Sequence, residues 1–300
     1  MPDLFTQHRA TLSSPPWLYR FYPETGVYAG VNTDNHNVYV LGGAFGNEIP
    51  VFIDTLASLL AMARNEMQDG EHPILTRKLN DTGISTCANN SVDGLPCPVS
   101  GFPGQDAEHG RDALASVGLL QKVGGGNAGF DFTKLDSSGN PLPASATEWS
   151  CVKDNHTGLI WEEKTTSGLR SMHNLYTWYN PDSSTNGGHP GVQNGTSRCS
   201  DSSCDTHGYV QAVNAQGLCG AYDWRMPAKE ELRSIVDYSR IKPAIDTTYF
   251  PSTPPAAFWS VSPIISGGGN NARGVAFAGG HDFNSGKSLN HHVRLVRGGQ

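Results

Sequence analysis

The chain of 300 residues carries a formal net charge of −7, with only 16% charged and 37% hydrophobic residues. That apolar fraction is enough for a core, which excludes disorder of the whole. The negative balance and the lack of any basic run longer than two residues leave nucleic acid without the counterion release that would bind it. No apolar run approaches the ~20 residues needed to span a bilayer. Met1-Pro2-Asp3 also lacks the basic-then-apolar order of a signal peptide, so export information lies outside this sequence or the chain leaves by another route.

With 35 glycines and 19 prolines, the chain is expected to be rich in turns and poor in exposed helix. Residues 1–14 show little apolar periodicity and read as a tail. Residues 15–63 read as a small β module. Trp17 to Tyr22, Val27 to Val31 and Val38 to Leu41 are aromatic and β-branched runs, separated by Pro23-Glu24-Thr25-Gly26 and Asp34-Asn35-His36-Asn37, residue types that turn. Phe52 to Leu56 and Leu59 to Met62 are expected to close this meander with a short helix.

Residues 64–150 are dominated by Asp, Asn, Gly, Ser and Pro and read as loop. Asp106, Glu108, His109, Arg111 and Asp112 carry the residue types of a metal or acid/base cluster, but a solvated polar loop is the expectation. Phe130 to Leu135 alternates apolar with polar and predicts a strand, ended by the turn Asp136 to Asn140. Cys151 to Glu162 predicts strand, turn, strand, with Trp161 in a core. Asp205-Thr206 caps a helix that carries Tyr209, Val210 and Val213 on one face and ends at Gly217. A second helix has Pro227 in its first turn, Glu230 and Glu231 near its positive end, and Leu232, Ile235 and Val236 inward.

Six cysteines in Gly- and Asn-rich surroundings fit a protein folded in an oxidising compartment. The close pairs Cys87/Cys97 and Cys199/Cys204 point to two short-loop bridges and leave Cys151 with Cys219. Fifteen pairings exist for six cysteines, and this is the most local of them. Reduced thiols are the alternative; zinc is disfavoured because no Cys-x-x-Cys pair occurs.

The chain from Tyr249 onward has two strand-forming ends, Phe258-Trp259-Ser260 and His291 to Arg297. Between them, Ile264 to Asn290 is Gly-, Asn- and Ser-rich and follows no period. Rigid ends around a middle free to vary describe a display surface, and therefore a binding protein.

The runs CVKDNHTGLIWEEKT, YTWYNPD, NGGHPGVQNG, YVQAVNAQGLCGAYDWRMPAKEELRSIVDYSR, PAIDTTYFP, FWSVSP and HHVRLVRGGQ, opened by KLNDTGI, resemble the bacterial Lcl C-terminal domain family, named for collagen-like adhesins. The resemblance spans Leu79 to Gln300. It implies an α+β architecture with a C-type-lectin-like fold, near the formylglycine-generating-enzyme branch: two helices, a compact mixed antiparallel sheet and long irregular connections. Residues 64–300 would be that ligand-binding domain, with a variable-type segment over 257–292.

Some members of this lectin-like group are variable proteins of diversity-generating retroelements, in which adenines of Asn-type codons are miscopied. Such codons do not reach Lys, Glu, Gln, Met or Trp. From Ile264 to His292 the chain has no Glu, Gln, Met or Trp, and Lys287 is the lone Lys. On that reading the varied, ligand-binding positions are Ile264, Ile265, Asn270, Arg273, Ala276, His281, Phe283, Asn284, Ser285, Leu289, Asn290, His291 and His292. Phe258, Trp259, Val275, Phe277, Val293, Leu295 and Val296 would be scaffold. Alternation along Val275-Ala276-Phe277 and His292-Val293-Arg294-Leu295 would turn one set inward and the other outward.

No metal and no cofactor is expected. Adjacent His291 and His292 would point to opposite faces of a strand, and Asp282 and Asn284 lack the regular spacing of a calcium loop. An enzyme is not expected either: no Gly-x-Ser-x-Gly elbow, phosphate loop or His-Glu-x-x-His occurs, and no cysteine follows Cys219. The reading is thus an adhesin or receptor-binding protein whose ligand is a protein or glycan on another surface, with a homo-oligomer as a route to avidity. It would be secreted or on the bacterial cell surface, with a phage particle as a second setting. The alternatives are a formylglycine-generating-enzyme-like oxidoreductase and a fixed-sequence glycan-binding lectin.

Overall fold

The structure, a computed structural model, describes residues 17–22, 27–32, 38–41, 52–53 and 79–298. The chain divides into two compact units, Met1–Thr76 and Arg77–Gln300. In the first unit, β1 (Trp17–Tyr22), β2 (Val27–Asn32), β3 (Val38–Leu41) and β4 (Phe52–Ile53) pair antiparallel in chain order. Phe52 and Ile53 therefore pair as strand where a closing helix was expected. The rest of that expected helix, and the tail 1–14, lie outside the described residues.

The second unit is α+β. Strands β5 (Phe132–Leu135), β6 (Cys151–Asp154) and β7 (Ile160–Glu162) form an antiparallel sheet joined by β11 (Val296–Arg297), in the order β11-β7-β6-β5. A second antiparallel sheet, in the order β10-β9-β8, contains β8 (Ala257–Ile264), β9 (Asn271–Ala276) and β10 (His281–Gly286). Among the described residues the α-helices of this unit are α1 (Gly110–Ser116), α2 (Thr206–Gln216) and α3 (Lys229–Arg233), one more than the resemblance implied.

Sequence signals explain the elements that formed as read. Asp205 caps α2 by accepting the Gly208 amide at 2.8 Å, and Tyr209 and Val213 turn inward while Val210 is half-buried. Helix α3 begins after an Ala228 cap, so Pro227 precedes it; Leu232 is buried from the helix, Ile235 and Val236 from the turn beyond. The strand around Phe132 departs from alternation because both its faces are covered. Asp131 is buried and accepts the Val123 and Gly124 amides at 2.9 and 2.7 Å, and Lys134 donates to the Ala146 carbonyl at 2.8 Å beneath the Trp149 ring.

The expected solvated loop at 106–112 is instead a 3-10 turn, Asp106–Glu108, leading into α1. Asp112 is fully buried, accepting the Gly83 and Gly129 amides at 2.7 and 2.6 Å, and burial pushes its carboxyl pKa up despite those bonds.

Two clusters make the core. One gathers Phe130, Phe132, Trp161, Leu232, Ile235, Phe250, Phe258, Val275 and Phe277; the other Tyr176, Trp178, Tyr209, Trp224, Trp259, Val293 and Leu295. Disulfides Cys87–Cys97, Cys151–Cys219 and Cys199–Cys204 take up all six cysteines.

Residues 291–297 join the two sheets. The His292 carbonyl accepts the Trp259 amide at 2.9 Å on β8, and Val296 pairs with Trp161 on β7. Between them Arg294 is fully buried, not outward as alternation had it. Its guanidinium donates to the Glu162 carbonyl at 2.8 Å, the Glu163 carboxylate at 3.1 Å and Thr253 Oγ1 at 2.7 Å, so charge pairing inside the fold overrides the two-residue period.

Candidate functional site

The display segment is built on the β8–β9–β10 sheet. Phe258, Trp259, Val275, Phe277, Val293, Leu295 and Val296, the expected scaffold, are all fully buried. Trp259 is pinned by its indole N–H to the Tyr176 carbonyl at 2.9 Å. On this frame Ile265, Asn270, Arg273, His281, Asn284 and Leu289 are exposed, whereas Ile264, Phe283, Ser285, Asn290, His291 and His292 are half-buried. Ala276 is 8% exposed and lies between Ala257 on β8 and His281 on β10, beneath the turn whose Gly280 amide donates to its carbonyl. A residue on a central strand at the foot of a tight turn has neighbours on every side, so Ala276 is removed from the presented set.

The register divides the remaining residues between the two faces of the β9–β10 hairpin. Phe283 sits opposite Gly274 and Trp259, and its ring lies across Gly274, where a Cβ would collide with it. That face continues into His291, whose ring is 4.5 Å from Trp259 and 5.0 Å from Phe283, with Nε2 2.8 Å from Ser285 Oγ. The result is a half-open aromatic shelf with one hydroxyl at its rim. Arg273 and Asn284 are paired on the opposite face, near Asp282, which meets Lys229 of α3 at 3.5 Å.

The two histidines differ in what holds them. His291 looks into the shelf, and burial lowers its pKa. His292 points to the other side, its ring 5.2 Å from Phe258 and its Nδ1 3.1 Å from the Asn174 carbonyl; burial lowers its pKa to about 4, aided by the nearby Lys164 charge. Their opposite orientation keeps them from sharing a ligand atom.

The sequence reading missed one component. Lys287 Nζ reaches into the loop that precedes α2, to the Asn186 and His189 carbonyls. Lys287 was visible as the one lysine of a segment otherwise free of that type, and a lone exception was the available signal.

Three carboxylates, Asp81, Asp106 and Asp112, converge elsewhere in the unit, with one oxygen of each within 4.8 Å of the others. Their oxygens are engaged locally: Thr82 Oγ1 donates to Asp106, and the Asp112 amide donates to Asp81 at 3.0 Å.

A disulfide-braced α+β domain that holds a partly exposed hairpin on a fully buried aromatic frame is thereby defined. Residues 150–297 match the family model of the Lcl C-terminal domain, so over this stretch the chain resembles that family, as its motifs indicated. No curated protein and no solved structure matches the chain.

Proposed function

We propose that the chain is a ligand-binding protein of the C-type-lectin-like type, and that the β9–β10 hairpin with its flanking turns is the surface that meets the ligand. The single observation that carries this reading is the contrast within 257–297: seven scaffold side chains are fully buried, while six of the thirteen candidate positions are exposed and six more half-buried. The six exposed positions can change at little cost to the frame. The resemblance over 150–297 to a domain named for an adhesin supports the same reading.

Diversification by a retroelement is the finer form of the proposal. Its added support is the burial of Lys287, the one residue of 264–292 that miscopied Asn codons do not reach, as a structural side chain. Three disulfides, and no helix among the described residues long and apolar enough to cross a membrane, fit an extracellular setting on a cell or a phage particle. A binding role is favoured over a formylglycine-generating-type oxidoreductase because all six cysteines are bridged and none lies beyond Cys219.

The test compares the native chain with an Arg273→Ala/Asn284→Ala variant on glycan arrays and on panels of cell surfaces. Binding is expected to fall about tenfold or more, with stability unchanged within about 0.5 kcal/mol. Trp259→Ala, by contrast, is expected to cost about 3–5 kcal/mol. A double variant that binds as the native chain does would remove the hairpin from the site. For the diversified form, the coding DNA should lie beside a reverse transcriptase gene and a near-copy of the 257–297 region that differs at adenines.

A further inference from the structure

A sheet edge presents backbone groups that need partners. In the second unit, the outer edges of β5, β8 and β11 are closed by neighbouring chain. Gly125 exchanges amide bonds with Phe132 at β5, the His292 carbonyl takes the Trp259 amide at β8, and Arg225 exchanges bonds with Val296 at β11. At the remaining edge, β10, no backbone partner lies on the outer side among the described residues.

The phase of the ladder decides which groups face out. The Lys287 amide donates to the Asn270 carbonyl at 2.9 Å, and antiparallel ladders bond every second residue, so Ser285 and Phe283 turn their backbone groups inward to β9. The Phe277 amide, which donates to the Ala256 carbonyl beside β8, sets the same phase. Asp282, Asn284 and Gly286 therefore point their amides and carbonyls outward. The Asp282 amide has turned to its own carboxylate, and the Gly286 carbonyl takes the Leu289 amide at 2.9 Å with a lone pair to spare.

The usual devices that blunt an edge are missing here. Residues 281–286 contain no proline, lysine or arginine, and their register against β9 runs without a bulge. The one carboxylate, Asp282, has Lys229 3.5 Å away. His281, Asp282 and Asn284 are exposed and Phe283, Ser285 and Gly286 half-buried, so another strand has access.

We propose that β10 is the seam of a two-fold homodimer, in which it pairs antiparallel with β10 of a second copy, Asn284 against Asn284. Self-complementarity selects this occupant. The three outward residues are centred on Asn284, so a two-fold axis there gives each of them a partner, whereas an axis at Asp282 would set two carboxylates face to face. In the chosen register Asp282 meets Gly286 of the second copy, and the two Asp282 carboxylates stand about 13 Å apart, beyond a Debye length of about 8–10 Å. The Arg273 side chains, three strand spacings apart, are separated by about 14 Å. Phe283 meets Ser285 of the second copy on the opposite face, which brings the two aromatic shelves side by side. Because the seam is made of backbone, Arg273 still stands out of the sheet, presented now from two copies. One strand pair buries little area, so the dimer is a reversible one.

The experiment is sedimentation equilibrium of the full chain from about 10 μM to about 1 mM, with a dimer expected within that range. A Cβ on Gly286 would have its nearest neighbours at 3.8 and 4.0 Å, so a side chain fits there. Gly286→Lys, placed against Asp282 of the second copy, should tighten the dimer about fivefold, and Gly286→Asp should weaken it about fivefold. Asn284→Pro removes an outward amide and should leave a monomer, with unchanged amide exchange in β5–β7 showing that the fold is intact. A dimer blind to the sign of the charge at 286, or one that survives Asn284→Pro, would overturn the seam. A native chain that stays monomeric to about 1 mM would overturn it as well and leave the edge to an extended segment of another protein.

Discussion

His292 shows how a single side chain makes the display sheet sensitive to acid. Its folded pKa, about 4, lies below the 6.5 of a free histidine, so the fold prefers the neutral ring. Above pH 6.5 both states are neutral and the residue contributes no pH dependence. As pH falls from about 6.5 to about 4 the unfolded chain takes up the proton first, and the fold loses up to about 3 kcal/mol from this ring. Asp112, Asp154 and Glu163 act in the opposite sense, because burial raises their pKa values and acid therefore favours their folded forms. Thermal melts from pH 7 to 4 should therefore flatten in His292→Phe relative to the native chain, which separates the histidine from the carboxylates. A variant with the native slope would show that the ring is solvated. At this scale the sequence was partly legible. The aromatic and β-branched scaffold could be named from its side-chain chemistry. The burial of Ala276, Arg294 and Lys287 could not, because each depends on partners more than ten residues away in the chain: Ala257, Glu163 and Asn186.

Among the elements, those whose signals are local were readable. Strands β1 to β3, the β6–β7 hairpin and the Asp205 cap of α2 follow from side-chain period and turn chemistry within a few residues. Asp205→Ala is expected to cost about 0.5–2 kcal/mol in chemical denaturation, since it also strips the Asn194 amide of its 2.9 Å acceptor. A loss well below that would mean water replaces the cap. Helix α1 was not readable because its inward residue is Asp112, while Leu114 and the following Val117 are exposed, the reverse of the usual pattern. Strands β9 and β10 were also hidden. Asn, Gly and Ser have little strand preference of their own, and it is the flanking β8, rich in aromatic residues, that holds them extended. The conformation of the hairpin is thus imposed from outside its own sequence.

For the molecule as a whole, the three bridges differ in what they constrain. Cys151–Cys219 closes 68 residues of sequence separation and Cys87–Cys97 and Cys199–Cys204 close 10 and 5. Chain-entropy arguments give about 4 kcal/mol for the first and about 2–3 kcal/mol for each of the others. Cys151→Ser/Cys219→Ser should therefore lower the melting temperature more than either short-loop pair removed alone. The reverse order would show that the short loops carry strain-relieving contacts of their own.

The passage of residues 291–297 from β8 to β7 carries a consequence for how this protein is made. A polypeptide interrupted anywhere within the hairpin would leave Trp161 without Val296 and Trp259 without the His292 carbonyl, so both sheets would be left unfinished together. Incomplete products would fail as folded domains instead of surviving with one finished sheet.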